Sequence, residues 1–262
     1  MRVVSFNVEG IFSAEANGFF EWIKLQDADV VCLQDLRASI NDLHLPQFKI
    51  EGYSPYFFEN YIADDKSVPG GVAIYSRIAP KAVITEIGSP DNDGEGRYIQ
   101  ADFNNISIGS LLVPGEVNSA DLSFDKYSFL DAYLLFLKKQ SRKRREVITC
   151  GTFNIAHTPK DVACYENFKN AIGALPNEQK WFSHLLDQMH YVDCYREIET
   201  KEGLFSFWNT EEDRANNMGW RIDYQIATRN IRPLVVSAGI YTRTVFSRHA
   251  PIIVDYECDL SV

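Results

Sequence analysis

Apolar residues fall along the chain in short, largely β-branched runs at Val3 to Phe6, Val30 to Leu33, Gly71 to Tyr75, Ala82 to Ile87, Ile106 to Val113, Val147 to Thr149, Ile222 to Ile226 and Pro251 to Val254. Runs of this length, bounded by polar or glycine-bearing segments, predict strands. Between some of them apolar residues return at steps of three and four, over Phe19 to Leu25, Tyr127 to Lys139 and Glu178 to Met189, which predicts helices. The polar stretches Ser89 to Gly96 and Glu211 to Asn217 are expected to be loops. Many strands broken by few helices predict an α/β fold in which two mixed sheets pack face to face under helices. No linker-like stretch or repeat divides the chain, so residues 1–262 are expected to form one domain.

Composition excludes several classes. With 45% hydrophobic and 24% charged residues the chain has enough apolar side chains for a sizeable core and is not a disordered polyelectrolyte. No apolar run reaches the ~18 residues of a membrane span. The segment Met1 to Phe6 reads as a strand and not as a signal peptide, so no membrane association and a cytoplasmic location are expected. The cysteines Cys32, Cys150, Cys164, Cys194 and Cys258 are odd in number and widely spaced, which predicts reduced core thiols and no zinc site. The net charge of -10 repels polyanions, so any nucleic-acid contact requires a local basic patch or a helper protein.

Six segments carry a recognisable order: Ser5-Phe6-Asn7, Asp29 to Asp35, Gly70 to Ser76, Gly151 to Ala156, Gly219 to Tyr224 and Ser247 to Pro251. Together they resemble the exonuclease III and apurinic endonuclease branch of the endonuclease/exonuclease/phosphatase superfamily. That resemblance implies a four-layer α/β/β/α sandwich with a divalent metal and a phosphodiester at one edge of the sheets. The chemistry there needs hard oxygen ligands for Mg²⁺, a base for water, and a donor for charge developing on phosphate.

Matched position by position, the chain departs from that pattern. Asn7 is retained, either to hold the acidic cluster or simply to end a strand through local hydrogen bonds. Asp35 stands where the family has a metal-binding Glu, on a stem one methylene shorter. Thr152 replaces the Asp of the family's Gly-Asp-x-Asn motif, and a Thr hydroxyl is no base near neutral pH. Leu112 takes the place of a phosphate-facing Tyr. Arg248 replaces the Asp of Ser-Asp-His, which the resemblance assigns to orienting His249, and a cation there is expected to disfavour charged His249. Asn154, Asp223 and His249 remain, with packing and hydrogen bonding as alternative roles. Asp35, Thr152 and Arg248 therefore carry no net formal charge where the family has three carboxylates, and neither a catalytic residue nor a metal cofactor is expected.

Further segments, among them Gly96 to Phe103, Lys143 to Glu146 and His249 to Tyr256, are similar to the catabolite repression control family of pseudomonads and related bacteria, a non-enzymatic branch of that superfamily. This resemblance implies carbon catabolite repression, in which translation of target mRNA is silenced together with the RNA chaperone Hfq on A-rich sites, with weak RNA binding by the protein alone. Gly151-Thr152-Phe153-Asn154 keeps much of the nuclease motif, which leaves a weakened Mg²⁺-dependent nuclease or phosphodiesterase as the alternative.

Lys138, Lys139, Arg142, Lys143, Arg144 and Arg145 place six cations within eight residues. Two readings fit the run: contact with RNA phosphates or a partner, or a solvated helix end whose cations complement the macrodipole. The run feeds the strand that leads to Gly151, so it is expected at the end opposite the cleft. Trp181, Trp208 and Trp220 are expected in core packing, and His157 is expected to be a loop residue without a catalytic partner.

Overall fold

The computed structural model describes residues 1–61, 69–89, 93–115, 122–143 and 145–260. Its strands are β1 (Arg2–Asn7), β2 (Val30–Gln34), β3 (Ser54–Phe58), β4 (Val72–Ser76), β5 (Ala82–Ile84), β6 (Tyr98–Asp102), β7 (Ile106–Leu112), β8 (Glu146–Thr152), β9 (Tyr191–Asp193), β10 (Asp223–Thr228), β11 (Val235–Ile240) and β12 (Ile252–Tyr256). They form two six-stranded sheets, ordered β11-β12-β1-β2-β4-β3 and β5-β6-β7-β8-β10-β9. In each sheet one central pair is parallel, β1 with β2 and β7 with β8, and its flanking pairs are antiparallel.

Side-chain alternation builds the layers. Val3, Val30, Cys32, Ile74, Ile108, Ile148, Cys150 and Val254 meet in the core cluster between the sheets. From the same strands, Val4, Phe6, Val31, Leu33 and Tyr75 pack outward against Phe19, Phe20 and Ile23 of the helix Phe19–Ile23. Tyr98, Leu111, Tyr224 and Ile226 of the second sheet pack outward against Tyr133 and Leu137 of the helix Leu122–Gln140 and Trp181, Phe182 and Leu185 of the helix Pro176–Asp187. The result is a four-layer α/β/β/α sandwich.

Several expectations need correction. The segment Glu211 to Asn217 holds a helix, Glu211–Ala215, because Thr210 and Asp213 close a reciprocal capping box that outweighs its polar composition. Strands β3, β6, β9 and β11 escape the hydrophobic pattern: Pro55 sits on an edge strand, Gln100 and Asp102 are buried polar residues within β6, β9 has three residues, and β11 is an edge with exposed Val236. The run from Ala82 pairs only to Ile84, and Leu25 lies outside its helix at 81% exposure. Cys32, Cys150 and Cys194 are buried, but Cys164 is exposed and Cys258 partly so, so the expectation of core thiols holds for three of five.

Candidate functional site

A cleft of about 550 Å³ opens where both sheets present one end of their central strands. The register lines Leu112 of β7, Thr152 of β8 and Asp223 of β10 side by side, while β1 brings Asn7 to the same end of the first sheet. The approach of β7 to β8 requires Gly151, whose φ is +151° and where a Cβ would fall 1.9 Å from the Leu111 carbonyl oxygen. Arg248 and His249 arrive on the loop before β12, held by Arg214, whose Nη2 donates to the carbonyls of Ser247 at 2.9 Å and Arg248 at 2.8 Å.

The floor is one hydrogen-bonded chain across the two sheets. Asn7 Nδ2 donates to Thr152 Oγ1 at 2.9 Å, and Thr152 Oγ1 donates to Asp223 Oδ1 at 2.5 Å. Asp223 Oδ2 accepts from Ser206 Oγ at 2.7 Å and lies 2.8 Å from His249 Nδ1. All five side chains are buried. Burial disfavours charge on His249, but the Asp223 charge and hydrogen bond, with Glu9 and Asp35 further off, outweigh it and raise the histidine's pKa.

This corrects the expected effect of Arg248. Its guanidinium turns away from the imidazole, with Nε 2.9 Å from Glu9 Oε1, Nη2 on the same oxygen, and Nη1 3.3 Å from Asn209 Oδ1. The aspartate against His249 is Asp223, which comes from another strand and not from the adjacent sequence position.

Asp35 faces the same cleft in a turn where both Asp35 (φ 60°) and Arg37 (φ 49°) adopt left-handed backbone. That turn folds Arg37 onto the carboxylate, with Nη2 2.6 Å from Oδ2, while the Gly70 N–H donates to Oδ1 at 3.0 Å. At the rim Arg97 pairs with Glu95 at 2.8 Å. Each arginine lining the cleft is thus matched to a carboxylate of this chain.

The donor set does not suit Mg²⁺. A hard cation wants several free oxygen ligands, whereas the oxygens of Glu9 and Asp35 are engaged by guanidinium groups and Thr152 contributes a neutral hydroxyl already shared between Asn7 and Asp223. Among the described residues no group of three or more His, Cys, Asp or Glu side chains converges on a metal position.

Asn154 (φ 54°) sits beside the floor, its Nδ2 donating to the Val113 carbonyl at 2.7 Å. Behind it the buried Lys126 ammonium bonds the Asn154 carbonyl at 2.8 Å and the Glu178 carboxylate, whose other oxygen accepts from Gly173 N at 2.7 Å and Leu175 N at 2.9 Å. Leu112 is a buried part of the cleft lining. Trp181 and Trp208 are buried, but Trp220 is half-buried on the cleft wall, its ring 5.4 Å from that of Phe168, so its role is not confined to the core. His157 stacks on Phe182 and bonds Ser183 Oγ at 2.9 Å.

Sequence reading missed Glu9, Arg37, Arg97, Ser206 and the Lys126–Glu178 pair. Glu9, two residues past the end of β1, was the findable one, since it follows Asn7 into the same cleft.

The basic run lies at the other end of β8. Lys138 and Lys139 close the helix Leu122–Gln140, and Arg142 and Lys143 follow in a 3₁₀ turn, all four exposed. Arg145 differs, since its Nη1 pairs with Asp102 Oδ2 at 2.6 Å. Arg144 lies outside the described residues.

Comparison with known proteins agrees with this architecture. The sequence profile described as Endonuclease/Exonuclease/phosphatase family matches residues 4–249. The exodeoxyribonuclease of Bacillus subtilis is 28% identical over 96% of this chain and 98% of its own length. A DNA-(apurinic or apyrimidinic site) endonuclease of Dictyostelium discoideum is 29% identical over 96% of this chain and 69% of its own. An AP endonuclease structure from Archaeoglobus fulgidus superposes with a TM-score of 0.87 at 23% identity, covering 98% of this chain and 100% of that one.

Proposed function

Because the chain belongs to the Endonuclease/Exonuclease/phosphatase family, we propose that it is a member in which phosphodiester cleavage has given way to regulation. In this reading it takes part in carbon catabolite repression, silencing translation of target mRNA together with the RNA chaperone Hfq on A-rich sites, as the catabolite repression control proteins that its sequence resembles do. The observation that carries the loss of cleavage is the pairing of the cleft carboxylates with guanidinium groups, Asp35 with Arg37 and Glu9 with Arg248, alongside Thr152 where a base is needed. The exposed cations Lys138, Lys139, Arg142 and Lys143 support RNA contact away from that cleft in a protein whose net charge is -10.

Two measurements test the reading. Purified protein is incubated with abasic DNA and with RNA in Mg²⁺ or Mn²⁺, beside a variant carrying Asp35→Ala and His249→Ala; no metal-dependent cleavage is expected, and cleavage lost in the variant overturns the reading. Co-assembly with Hfq and an A-rich RNA is expected, and no ternary complex counts equally against it.

A second reading, a weakened nuclease, is favoured by the His249–Asp223 pair, which keeps an imidazole readily charged at the floor of the cleft. The curated relatives named above are nucleases, which supports it as well. The cleavage assay decides between the two.

A further inference from the structure

The floor of the cleft holds a donor that the chain itself does not use. His249 is 5% exposed and lines the cleft, with Nδ1 turned to Asp223 Oδ2 at 2.8 Å. No group among the described residues accepts from its Nε2. Burial disfavours charge on the ring, but Asp223 from β10, Glu9 after β1 and Asp35 after β2 outweigh it and raise its pKa. In the charged form both ring nitrogens donate, which leaves the Nε2–H to the cleft.

Apolar walls surround that donor. The Phe207 ring lies 4.7 Å from the imidazole, and Leu112, Trp220, Ile222 and Ile172 line the same cleft. At the rim Arg97 holds Glu95 through Nε alone among the described residues, so its terminal nitrogens remain as further donors. The acids of the cleft are committed: both oxygens of Glu9 accept from Arg248, Asp35 accepts from Arg37 and Gly70, and Asp213 caps the helix Glu211–Ala215. The site therefore offers hydrogen-bond donors beside an apolar surface.

We propose that the cleft binds a small organic acid, whose carboxylate accepts from His249 Nε2 while its apolar body lies against Leu112, Phe207 and Trp220. The cleft, at about 550 Å³, is of the size that takes such ligands. A polynucleotide phosphodiester matches it less well. Leu112 supplies no hydroxyl, no group of metal ligands converges among the described residues, and a net charge of -10 opposes a polyanion far more than a single carboxylate. An organic acid instead gains from burying its apolar body against the walls. The inference rests on the loss of cleavage proposed above and deepens it, by giving the cleft of a regulator of carbon use a ligand class of its own.

Benzoate is the probe, titrated into full-length protein in the presence of a chelator and followed by calorimetry and by the NMR resonances of the His249 imidazole. Saturation below about 10 mM is expected, with the Nε2 resonance shifted in the complex. Benzamide keeps the ring without the charge, and inorganic phosphate keeps charge without the ring; each is expected to bind about tenfold more weakly or less. His249→Asn retains a donor for Asp223 and removes Nε2, and is expected to weaken benzoate binding about tenfold. Ile172→Glu puts a like charge on a wall position that is 43% exposed, where folding does not depend on the side chain, and is expected to weaken binding severalfold with the loss fading in high salt. Should His249→Asn unfold, Ile172→Glu decides alone. No saturation, phosphate binding as tightly as benzoate, or an affinity unchanged in both variants overturns the inference and leaves the proposed function standing. Metal-dependent cleavage in the assay above sinks that function whatever benzoate does, so the two failures are distinguishable.

Discussion

Arg248 and Glu9 form an ion pair at the mouth of the cleft, bringing together residues 239 positions apart, with Arg248 Nε 2.9 Å from Glu9 Oε1 and the Arg248 N–H 2.9 Å from Glu9 Oε2. The pair joins the end of β1 to the loop before β12 and occupies a carboxylate that otherwise faces the cleft. Burial works against the Glu9 charge, but the hydrogen bond to Arg248 and the charges of His249 and Arg248 prevail and hold its pKa below the usual carboxylate range.

From this pair a first outcome follows. The Arg248 side chain is 46% exposed, so solvent screens the interaction, and a double-mutant cycle with Glu9→Gln and Arg248→Gln is expected to give a coupling below about 1 kcal/mol in urea unfolding. Glu9→Gln is also expected to lower the His249 pKa, because one of the carboxylates raising it is gone. An NMR titration of the imidazole reads that shift, and an unchanged value contradicts the account.

His249 makes stability depend on pH in a defined direction. A histidine whose folded pKa is raised contributes stabilisation that is complete below its ordinary value near 6.5 and is lost as pH rises through the folded value. Thermal melts of the wild type are therefore expected to fall across that window, while Asp223→Asn, which removes the charge facing Nδ1, flattens the curve there. A wild-type profile that instead rises across this interval sinks the assignment.

Much of this arrangement was legible in the chain, and the limits have physical causes. The strands that run as nearly continuous buried stretches, β1, β2, β4, β7, β8 and β10, could be read because both faces of the sheets are covered, and β12 could be read from its alternating burial. Edge strands lack that signal, as Pro55 and Val236 illustrate. Asn7, Leu112, Thr152, Asn154, Asp223, Arg248 and His249 do meet around one cleft, but their pairing was not readable. Sequence adjacency set Arg248 against His249, whereas rotamer and loop geometry send the guanidinium to Glu9 and leave the imidazole to Asp223. Partners such as Arg37 and Lys126 belong to ordinary-looking charged positions, and only the fold reveals what they neutralise.

Thr152 gives a sharper handle on the cleft floor. Its hydroxyl accepts from Asn7 and donates to Asp223, so Thr152→Val leaves two buried polar groups without that partner and is expected to cost about 1–3 kcal/mol in urea unfolding. Thr152→Ser keeps the hydroxyl and is expected to lose less than about 1 kcal/mol. Equal losses in the two variants contradict a hydrogen-bonding role and point to the methyl group.

Thiol reactivity separates the five cysteines by burial. Cys150 has its pKa raised by burial, then by the hydrogen bond and charge of Cys32, and burial pushes Cys194 up to about 12. Because the thiolate is the reactive form, an aromatic disulfide reagent is expected to modify exposed Cys164 first and partly buried Cys258 more slowly, with Cys32, Cys150 and Cys194 reacting only on unfolding. Fast reaction of more than two thiols in the folded protein contradicts the packing between the sheets.

The Lys126–Glu178 pair carries the largest expected effect on stability, because both side chains are almost wholly buried, at 3% and 1% exposure. Burial lowers the Lys126 pKa more than the Glu178 charge and hydrogen bond restore it, so the ammonium depends on its partner to remain charged in the interior. Glu178 also fixes the Gly173 and Leu175 N–H groups, which ties the helix Pro176–Asp187 to the loop beside the cleft. Glu178→Leu strands a buried cation and two backbone donors and is expected to destabilise by about 3–5 kcal/mol in urea unfolding. Lys126→Met removes the cation but leaves a buried carboxylate that still accepts from both N–H groups, so its loss is expected to be the smaller of the two. Combining the substitutions removes both charges at once, and a double variant less stable than the sum of the single losses predicts would contradict a paired, mutually dependent role.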